Sequence, residues 1–502
     1  MVGLTRASSF AVKKEVTAGT YVAPTVGTDF LPLRPGNELS FEPELLESDE
    51  LINDIGATKS SIGKEAVSGS HSAYLRHSGV EGQEPQLGLL WESIMGSKSI
   101  NATEYPTVAS STTTVIKVNT GIGANFQEGE SLLIKDATNG YSIRNVKSIS
   151  GDDLTLNFAL AAAPAAAINL GKSCLYVPTA SGHPTFSTTK YLGGGYAKEV
   201  SAGNTVTEVS ITADANGFGE VEFSFEGTKY YYNPIEITSS TRFLDVTDDS
   251  GTFAVSVPVG IYATPIDLAV ALQAALENAN AETYSVVYNN STGKFTITSP
   301  TNTVLSLLFN SGANTANSIA TKIGFTTAAN KTGAGGAVGY TSDNAQTYTS
   351  GLTPSYDTAD AIVIKGAELF VGNQTDNLCI CAQSVSLTIS KTVEDVDCIC
   401  ETTGVLEKIP TARAATMSVT AVLKQYDAGL LDALLKNTGI SAMFNAGPKA
   451  GGNWVAGKCF NAYFRNATVS SFKTSGDSFL QVELELRGFV TSASKDIYVS
   501  FI

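Results

Sequence analysis

The stretch VEFSFEG, residues 221–227, alternates apolar and polar side chains and ends at a glycine. It returns far along the chain as VELELRG, residues 482–488, with the same alternation and the same final glycine. Alternation with a period of two is typical of a β-strand that buries one face. A strand that occurs twice in this way indicates that a larger unit is duplicated.

Three further pairs of similar segments occur in the same order along the chain. They are Leu39-Ser40-Phe41 with Val385-Ser386-Leu387, Ser72-Ala73-Tyr74 with Thr420-Ala421-Val422, and Gly88-Leu89-Leu90 with Gly429-Leu430-Leu431. The third pair lies in two short amphipathic helices that we predict at 86–95 and 427–436. Because the spacing drifts by only a few residues, the sequence predicts a repeated unit of strand, hairpin, helix and strands.

Two inserted segments lengthen the first copy of this unit. Residues 106–178 are rich in strand patterns, and residues 233–344 show two strands, a helix predicted at 265–278 and a hairpin. That helix has Thr264 at its N-cap and Pro265 at its first position. Its expected buried stripe consists of Ile266, Val270, Leu272 and Leu276.

These patterns predict a mainly β protein with four domains. Residues 1–105 together with 179–232 are predicted to form the first copy of the repeated unit, and residues 345–502 the second. Residues 106–178 form an inserted β-domain, and residues 233–344 form an inserted α+β domain.

The composition excludes several classes of protein. Apolar residues make up 43% of the 502 residues, charged residues only 16%, and the net charge is −16. Clusters of Lys and Arg that would bind nucleic acid are missing, and an acidic surface repels DNA phosphates. The sequence shows neither a membrane span nor a signal peptide, so we expect no membrane contact, folding in a reducing cytosol, and no disulfides.

Four of the six cysteines form two C-x-C pairs, Cys379 with Cys381 and Cys398 with Cys400. Zinc sites usually use a longer spacing on a turn, whereas these pairs lie in alternating apolar stretches. A site of four thiolates is one interpretation of them. The other, which we expect, is that small apolar cysteines are packed in a β-core.

No residue pattern predicts a catalytic site. The three histidines, His71, His77 and His183, have no ligand-type residues at suitable spacing, and we expect surface or groove positions for them. The segment Gly171-Lys172-Ser173 lacks the upstream glycine of a phosphate-binding loop. The chain is therefore predicted to be no enzyme, with no catalytic residue, metal or cofactor.

The duplicated unit resembles the major tail tube protein of long-tailed, siphovirus-like bacteriophages. The resemblance is carried by LSFEPELLESDEL, SAYLRH, GLLWESIM and VEFSFEG in the first copy, and by VSLTISKTVEDVD, TAVLK, GLLDALL and VELELRG in the second. It covers roughly half of the chain, and both inserts resemble modules of phage virion proteins. In that family a β-sandwich or half-barrel with one flanking helix joins its inner sheet to those of its neighbours, forming a tube. The resemblance therefore implies two such domains here, each a β-sandwich or half-barrel with a flanking helix.

The resemblance implies a structural virion protein of the tail, assembled in the host cytoplasm. Two tube domains per chain imply trimeric rings with pseudo-sixfold symmetry, which stack into a conduit for DNA ejection. The implied partners are further copies of the chain, a tape-measure protein in the lumen, and the tail-tip and tail-terminator proteins. DNA is expected only in transit, and the inserts are expected to decorate the outside of the tube.

The resemblance also implies two sets of functional residues. Polar residues of the duplicated strands would line the lumen, namely Glu38, Ser40, Glu42, Glu222, Glu226, Ser384, Ser386, Thr388, Glu483 and Glu485. Long hairpin loops would reach the next ring through Asn53, Asp54, Lys59, Lys64, Glu401, Glu407 and Lys408.

Two alternatives remain open at this point. The polar strand faces are also consistent with an ordinary solvated sheet. The chain is also compatible with a β-rich adhesin or decoration protein that binds cell-surface glycans, for which Tyr230-Tyr231-Tyr232 is the best candidate site.

Overall fold

The computed structural model describes residues 8–50, 59–194, 197–334, 338–346, 354–356, 358–374, 377–422, 432, 436, 439–475, 480–492 and 494–502. Most of these residues lie in antiparallel strands. Within these ranges the α-helices are α1 (Gly88–Met95) and α2 (Pro265–Ala279). The prediction of a mainly β protein is therefore confirmed. Within the same ranges, no helix is long and apolar enough to span a bilayer.

The strands are short in the inserts and long in the duplicated unit. The first sixteen are β1 (Ser9–Lys14), β2 (Phe30–Leu31), β3 (Glu38–Leu46), β4 (Ser61–Tyr74), β5 (Gly96–Asn101), β6 (Tyr105–Pro106), β7 (Val115–Lys117), β8 (Ser131–Ile134), β9 (Ser142–Ser150), β10 (Asp153–Leu156), β11 (Asn169–Leu170), β12 (Ser173–Pro178), β13 (Phe186–Leu192), β14 (Ala197–Asp214), β15 (Glu220–Gly227) and β16 (Lys229–Tyr232). The next nine are β17 (Ile235–Ile237), β18 (Phe243–Asp248), β19 (Gly251–Ser256), β20 (Gly260–Tyr262), β21 (Ser285–Asn289), β22 (Lys294–Ser299), β23 (Val304–Leu307), β24 (Lys331–Ala334) and β25 (Val338–Thr341). The last ten are β26 (Glu368–Gly372), β27 (Asn377–Ile380), β28 (Ala382–Asp397), β29 (Val405–Val422), β30 (Ile440–Ala446), β31 (Lys449–Ala450), β32 (Asn453–Trp454), β33 (Phe460–Ser475), β34 (Gln481–Gly488) and β35 (Tyr498–Phe501).

A continuous eight-stranded sheet, here called the front sheet, forms the centre of the molecule. Its order is β3–β4–β15–β14–β28–β29–β34–β33, and every pair is antiparallel. The first four strands come from the first half of the chain and the last four from the second. Both quartets have the same internal order, so the second follows the first in tandem across the sheet.

A second sheet, here called the back sheet, repeats in the same way. In the first half its order is β2–β1–β13–β14–β16. In the second half it is β27–β26–β30–β33–β35, which continues through β12 to β5. Each half is thus a two-sheet unit in which one long strand, β14 or β33, belongs to both sheets.

Two β-bulges occur at corresponding places in the two halves. The register between β14 and β15 shifts between Val206 and Glu208, and the register between β33 and β34 shifts between Val469 and Ser471. In both cases the extra residue carries a hydroxyl that donates to a carbonyl oxygen of the partner strand, at 3.3 Å from Thr207 and 3.2 Å from Ser470. Bulges bend a strand, so the two halves curve at the same point.

Strand pairing corrects one correspondence that we predicted. Aligning Ser72-Ala73-Tyr74 with Thr420-Ala421-Val422 makes Gly69 of β4 equivalent to Met417 of β29. Gly69 pairs with Leu39 of β3, and Met417 pairs with Leu387 of β28. Leu39 therefore corresponds to Leu387 and not to Val385. The prediction was wrong by two residues because such a shift keeps every side chain on the same face of a strand.

The core of the two halves is shared and closes over helix α1. Trp91 of that helix is fully buried and contacts Phe223 of the first half and Phe460 of the second, at ring-centroid distances of 5.3 and 6.2 Å. The helix begins at Gly88, two residues later than predicted. The helix predicted at 427–436 lies outside the described residues apart from Asp432 and Lys436.

The segment between β5 and β12 forms a small barrel of six strands. Its order is β6–β11–β8–β9–β10–β7, and a bridge between Thr107 and Val118 connects the first strand to the last. The barrel packs on the second half of the chain. Within that contact the buried Asn145 side chain donates to Asn461 Oδ1 at 2.9 Å, and Ser131 Oγ donates to the same atom at 2.7 Å.

The segment between β16 and β26 has its own apolar core around helix α2. Thr264 and Asp267 form a reciprocal capping box at its N-terminus. The predicted buried stripe was half wrong. Leu272 and Leu276 are buried together with Leu268 and Ala269, whereas Ile266 and Val270 are exposed on the other side of the helix.

Candidate functional site: the polar face of the front sheet

The front sheet has one apolar and one polar surface. The apolar surface covers the shared core with residues such as Phe223, Ile211, Leu387 and Leu484. The opposite surface, here called the polar face, carries the side chains that alternate with them. All ten residues predicted for the lumen lie on the polar face: Glu38, Ser40, Glu42, Glu222, Glu226, Ser384, Ser386, Thr388, Glu483 and Glu485.

Cross-strand pairing aligns the polar side chains in rows that run across both halves. One row is Ser72, Glu222, Ser210, Thr388, Thr416 and Arg487. The next row is Tyr74, Glu220, Thr212, Ser386, Ser418 and Glu485. Hydroxyls and carboxylates therefore form a continuous surface over the strands of both halves.

Carboxylates dominate the charge of this face. Arg34 pairs with Glu220, Lys408 pairs with Glu226 at 3.0 Å, and Lys473 pairs with Glu483 at 3.4 Å. For the described part of the chain, the ion pairs within 4 Å do not include Glu38, Glu42, Glu208, Glu222 or Glu485. The face consequently presents uncompensated negative charge to whatever lies in front of it.

The two long hairpins, β3–β4 and β28–β29, contact each other at one end of the sheet. Lys64 Nζ of the first hairpin lies 2.6 Å from Asp395 and 3.0 Å from Asp397 of the second. The hydrogen bond to Asp395 raises the pKa of Lys64. The Glu65 backbone N–H also donates to the Thr403 carbonyl at 3.1 Å, so the second hairpin leans over the first.

The residues predicted for ring-to-ring loops are therefore in different situations. Lys64 and Lys408 are held in ion pairs within the chain, and the Lys408 side chain is only 8% exposed. Lys59 and Glu407 are exposed, and Glu401 lies in the hairpin turn. Asn53 and Asp54 lie outside the described residues.

The cysteines are not where we predicted them. Cys379, Cys381 and Cys400 are exposed and Cys398 is half-buried, so the prediction of cysteines packed in a β-core was wrong for both C-x-C pairs. The reason is position, since one pair flanks the junction of β27 with β28 and the other lies in the turn after β28. In the described ranges, no group of three or more His, Cys, Asp or Glu could hold a metal ion.

The histidines also differ from the prediction. His71 and His77 are buried, not on the surface. His71 lies between the rings of Phe10 and Phe225, at centroid distances of 5.8 and 4.8 Å, and its Nε2 is 3.3 Å from Thr188 Oγ1. Burial lowers the pKa of His71 to about 3, so this imidazole is a neutral core residue at physiological pH.

The outer edges of the front sheet are a feature that sequence reasoning did not resolve. In the described residues, β3 pairs with β4 alone, and Thr468–Ser475 of β33 pair with β34 alone. Unpaired edges are templates for pairing with another chain. The signal available in the sequence was the tandem repeat itself. Two copies of one unit that pair through β14 and β28 leave the counterparts of those strands, β33 and β3, unpaired at the two outer edges.

No protein-family model and no curated protein sequence matches the chain. Among solved structures, a chain described as "Virion of native gene transfer agent (GTA) particle" matches 27% of this chain and 95% of its own length, with 14% identity and a TM-score of 0.19. A chain described as "Structure of a type six secretion system protein" matches 24% of this chain and 77% of its own, with 12% identity and a TM-score of 0.16. Both TM-scores are far below 0.5, so neither match carries an argument about fold or function.

Proposed function

We propose that this chain is the ring-forming subunit of a tail tube of the siphovirus type, a structural virion protein without catalysis. The observation that supports it is the tandem arrangement of two strand quartets with one order. Inside the chain, the last strand of the first quartet, β14, pairs with the first strand of the second, β28. The same contact, made between chains, joins β33 of one copy to β3 of the next.

The internal junction supplies a register for the contact between chains. Inside the chain, Val209 pairs with Ile389 and Ser210 pairs with Thr388. The matching bulges make Phe472 and Lys473 the counterparts of Val209 and Ser210. The matching hairpins make Phe41 and Ser40 the counterparts of Ile389 and Thr388. The equivalent pairs between chains are therefore Phe472 with Phe41 and Lys473 with Ser40. The two phenylalanines would cover each other on the apolar side, where each is only partly buried in the single chain.

Head-to-tail repetition of one contact closes into a ring when the rotation per unit divides a full turn. With six quartets, as in hexameric rings of the resembling family, three chains form a barrel of 24 strands. At about 4.8 Å between strands and a tilt of about 40°, its backbone diameter is roughly 48 Å. Side chains of about 5 Å on each wall leave a lumen of roughly 38 Å.

The polar face would line this lumen, because the apolar face is covered by the core. Uncompensated carboxylates repel DNA phosphates, so a duplex could pass without adhering to the wall. Before ejection, we propose that a tape-measure protein fills the lumen, and that tail-tip and tail-terminator proteins close the ends. Assembly would take place in the host cytoplasm and the product would be the virion tail.

The inserts would then lie outside the tube, as decoration domains within the four-domain division predicted from the sequence. The barrel supports this placement because it contacts β33 through Asn461, which lies in the back-sheet half of that strand. The back sheet is on the far side of the core from the polar face.

The adhesin alternative gains no support from its candidate site. Tyr230 stacks on Phe41 with a centroid distance of 5.2 Å and donates to Glu199, so it is a packing residue. Tyr232 alone of the three is more than half exposed. A single exposed ring is a weak platform for a glycan.

The test is the mass of the purified chain in solution, with negative-stain images of the same sample at high concentration. Particles of three times the chain mass, seen as rings or hollow tubes, are the expected result. A protein that stays monomeric at high concentration and on seeding with isolated tail tips would contradict the proposal.

A further inference from the structure

Two cationic side chains interrupt the apolar surface of the front sheet. Lys391 of β28 comes two residues after the buried Ile389, and Arg413 of β29 comes two residues before the buried Ala415. The two strands pair Lys391 directly with Arg413, so both side chains lie on the core side of the sheet. Like charges directly opposite each other destabilise a strand pair. We therefore expect a compensating negative charge close to both residues.

Arg413 has such a charge, and Lys391 does not. The Arg413 guanidinium donates through Nε and Nη2 to the two carboxylate oxygens of Asp496, at 3.2 and 2.6 Å. The ion pairs within 4 Å in the described part of the chain do not include the buried Lys391. Its Nζ donates to the Ser93 carbonyl oxygen and to Thr205 Oγ1, both at 2.8 Å. Both acceptors are neutral, and an ammonium has a third N–H to donate.

Lys391 and Arg413 line a cavity of about 320 Å³. Its other walls include His183, from the segment between β12 and β13, and the exposed Lys495, from the segment before β35. Burial lowers the pKa of His183, so its imidazole adds no charge at pH 7. Lys391, Arg413 and Lys495 carry three positive charges. The carboxylate of the lining, Asp496, cancels one of them, so an excess of two positive charges remains.

The rest of the lining suits a small ligand. Pro178, Ala180, Pro410 and Val490 form apolar walls. Ligand sites typically combine such walls with a few convergent polar groups, and about 320 Å³ lies at the lower end of their volumes. A phosphate group carries about 1.5–2 negative charges at pH 7, which matches the excess charge of the lining. Ammonium groups bind phosphate as point charges, without the paired geometry that a carboxylate prefers from arginine.

We propose that this cavity, here called the Lys391 cavity, binds a small phosphate-type anion through Lys391 and Lys495. A carboxylate fits less well, because the fork of Arg413 is already occupied by an internal carboxylate. The site occurs once per chain, since the counterparts of Lys391 and Arg413 in the first half are Pro43 and Glu65. The inference concerns the single chain and is independent of ring formation.

The charge state of Lys391 gives the site a distinctive pH dependence. Burial, together with the charge of Arg413, lowers the pKa of Lys391 to about 7. A bound phosphate favours the ammonium form, so the affinity for phosphate should fall as pH rises from 7 to 9. His183 is already neutral in this range, and Asp496 and Lys495 keep their charges. Phosphate itself becomes more negative on the same rise, so a fall in affinity identifies the amine.

The experiment is calorimetric titration of the purified full chain with inorganic phosphate, with sodium chloride added to keep the ionic strength constant. We expect one saturable site per chain. Lys391→Met keeps the length of the side chain and leaves no carboxylate without its partner, so the variant should stay folded. It should bind phosphate about 10- to 100-fold more weakly, because a hydrogen bond to a charged group is lost.

A second pair of variants avoids the core. Lys495→Gln should weaken phosphate binding by about two- to fivefold, as expected for an exposed charge. Lys59→Gln removes another exposed lysine, which does not line the cavity, and should bind like the wild type. If Lys391→Met does not fold, this pair decides.

Three results would overturn the proposal. The first is that the wild-type chain shows no saturable phosphate binding. The second is that the lysine variants of the Lys391 cavity bind phosphate as tightly as Lys59→Gln does. The third is that acetate at the same ionic strength binds as tightly as phosphate, since the site would then not select a phosphate-type anion.

Discussion

Replacing Lys473 with glutamate should prevent ring closure while the single chain stays folded. In the register taken from the β14–β28 junction, Lys473 of one chain faces Ser40 of the next and has Glu38 and Glu42 on its two diagonals. Lys473 is exposed in the single chain, where its own carboxylate partner is Glu483 at 3.4 Å. The substitution therefore reverses the charge at the centre of the proposed contact and removes no core packing.

The magnitude follows from the number of contacts. Diagonal cross-strand neighbours are about 7–8 Å apart, and a favourable charged pair on one sheet face contributes roughly 0.2–1 kcal/mol. Because diagonal neighbours are farther apart than directly opposite ones, each diagonal contributes about 0.25–0.5 kcal/mol, at the lower end of that range. Turning two attractive diagonals into two repulsive ones therefore costs about 1–2 kcal/mol per contact, and the proposed trimeric ring has three contacts. A total of about 3–6 kcal/mol corresponds to a shift of roughly 10²- to 10⁴-fold in the ring equilibrium.

The assay is mass photometry over a dilution series, with circular dichroism to check that the chain is folded. Lys117→Glu is the matched control, because Lys117 is also a partly exposed strand lysine with a cross-strand acidic partner, Asp153 at 3.1 Å. It changes the net charge equally but lies in the barrel, away from both free edges. We expect Lys117→Glu to form rings like the wild type.

Equal ring formation by Lys473→Glu and Lys117→Glu would refute the register. A second variant sharpens the result, since Glu38→Lys with Glu42→Lys in the Lys473→Glu background restores opposite charges across the contact. Rings that return in the triple variant would show that the three side chains meet, whereas continued failure would mean that Lys473 acts elsewhere. Salt should weaken both effects, because the charges lie at a solvated face.

Three further predictions concern the core and the polar face. His71 has a folded-state pKa of about 3 against an unfolded value near 6.5, so its contribution to stability is complete above pH 6.5 and is lost as pH falls towards 3. The free energy of unfolding should therefore drop by about 2 kcal/mol between pH 7 and pH 5. His71→Val, which copies Val419 of the second half, should remove that part of the pH dependence in urea titrations. Trp91→Ala, which empties the contact between the two halves, should lower the free energy of unfolding by about 3–5 kcal/mol in the same titrations. Glu222→Lys with Glu485→Lys should make assembled tubes retain duplex DNA in a salt-sensitive manner, measured by co-sedimentation, whereas wild-type tubes should not retain it.

Much of the front sheet could be predicted from its sequence because it obeys one simple pattern. In VEFSFEG and VELELRG the period-two alternation is uninterrupted, so the buried and polar sides follow directly. The ten residues predicted for the lumen share one surface of the sheet for the same reason, and their place in a lumen stays a prediction. What alternation cannot determine is register, since a shift of two residues preserves it, and the correspondence of Leu39 was missed on that account.

The errors at the cysteines and at helix α2 have a different origin. The alternating apolar pattern continues from β28 into its turn, and so Cys398 and Cys400 were predicted to be buried. Whether such residues are covered depends on what packs against the strand end, and nothing in the described chain covers Ile399. Ile266 and Val270 were misassigned because apolar residues lie on two sides of α2, and only tertiary contacts select the buried one.

Duplication within one chain makes the two kinds of junction independent of each other. The internal β14–β28 junction has uncharged Ser210 and Thr388 at its centre, whereas the proposed contact between chains would set Lys473 against acidic residues. A covalent chain brings its internal strands together without help from charge, whereas separate chains must select one register among several, and in the proposed ring opposite charges would make that selection. A ring of six identical domains could not make this distinction.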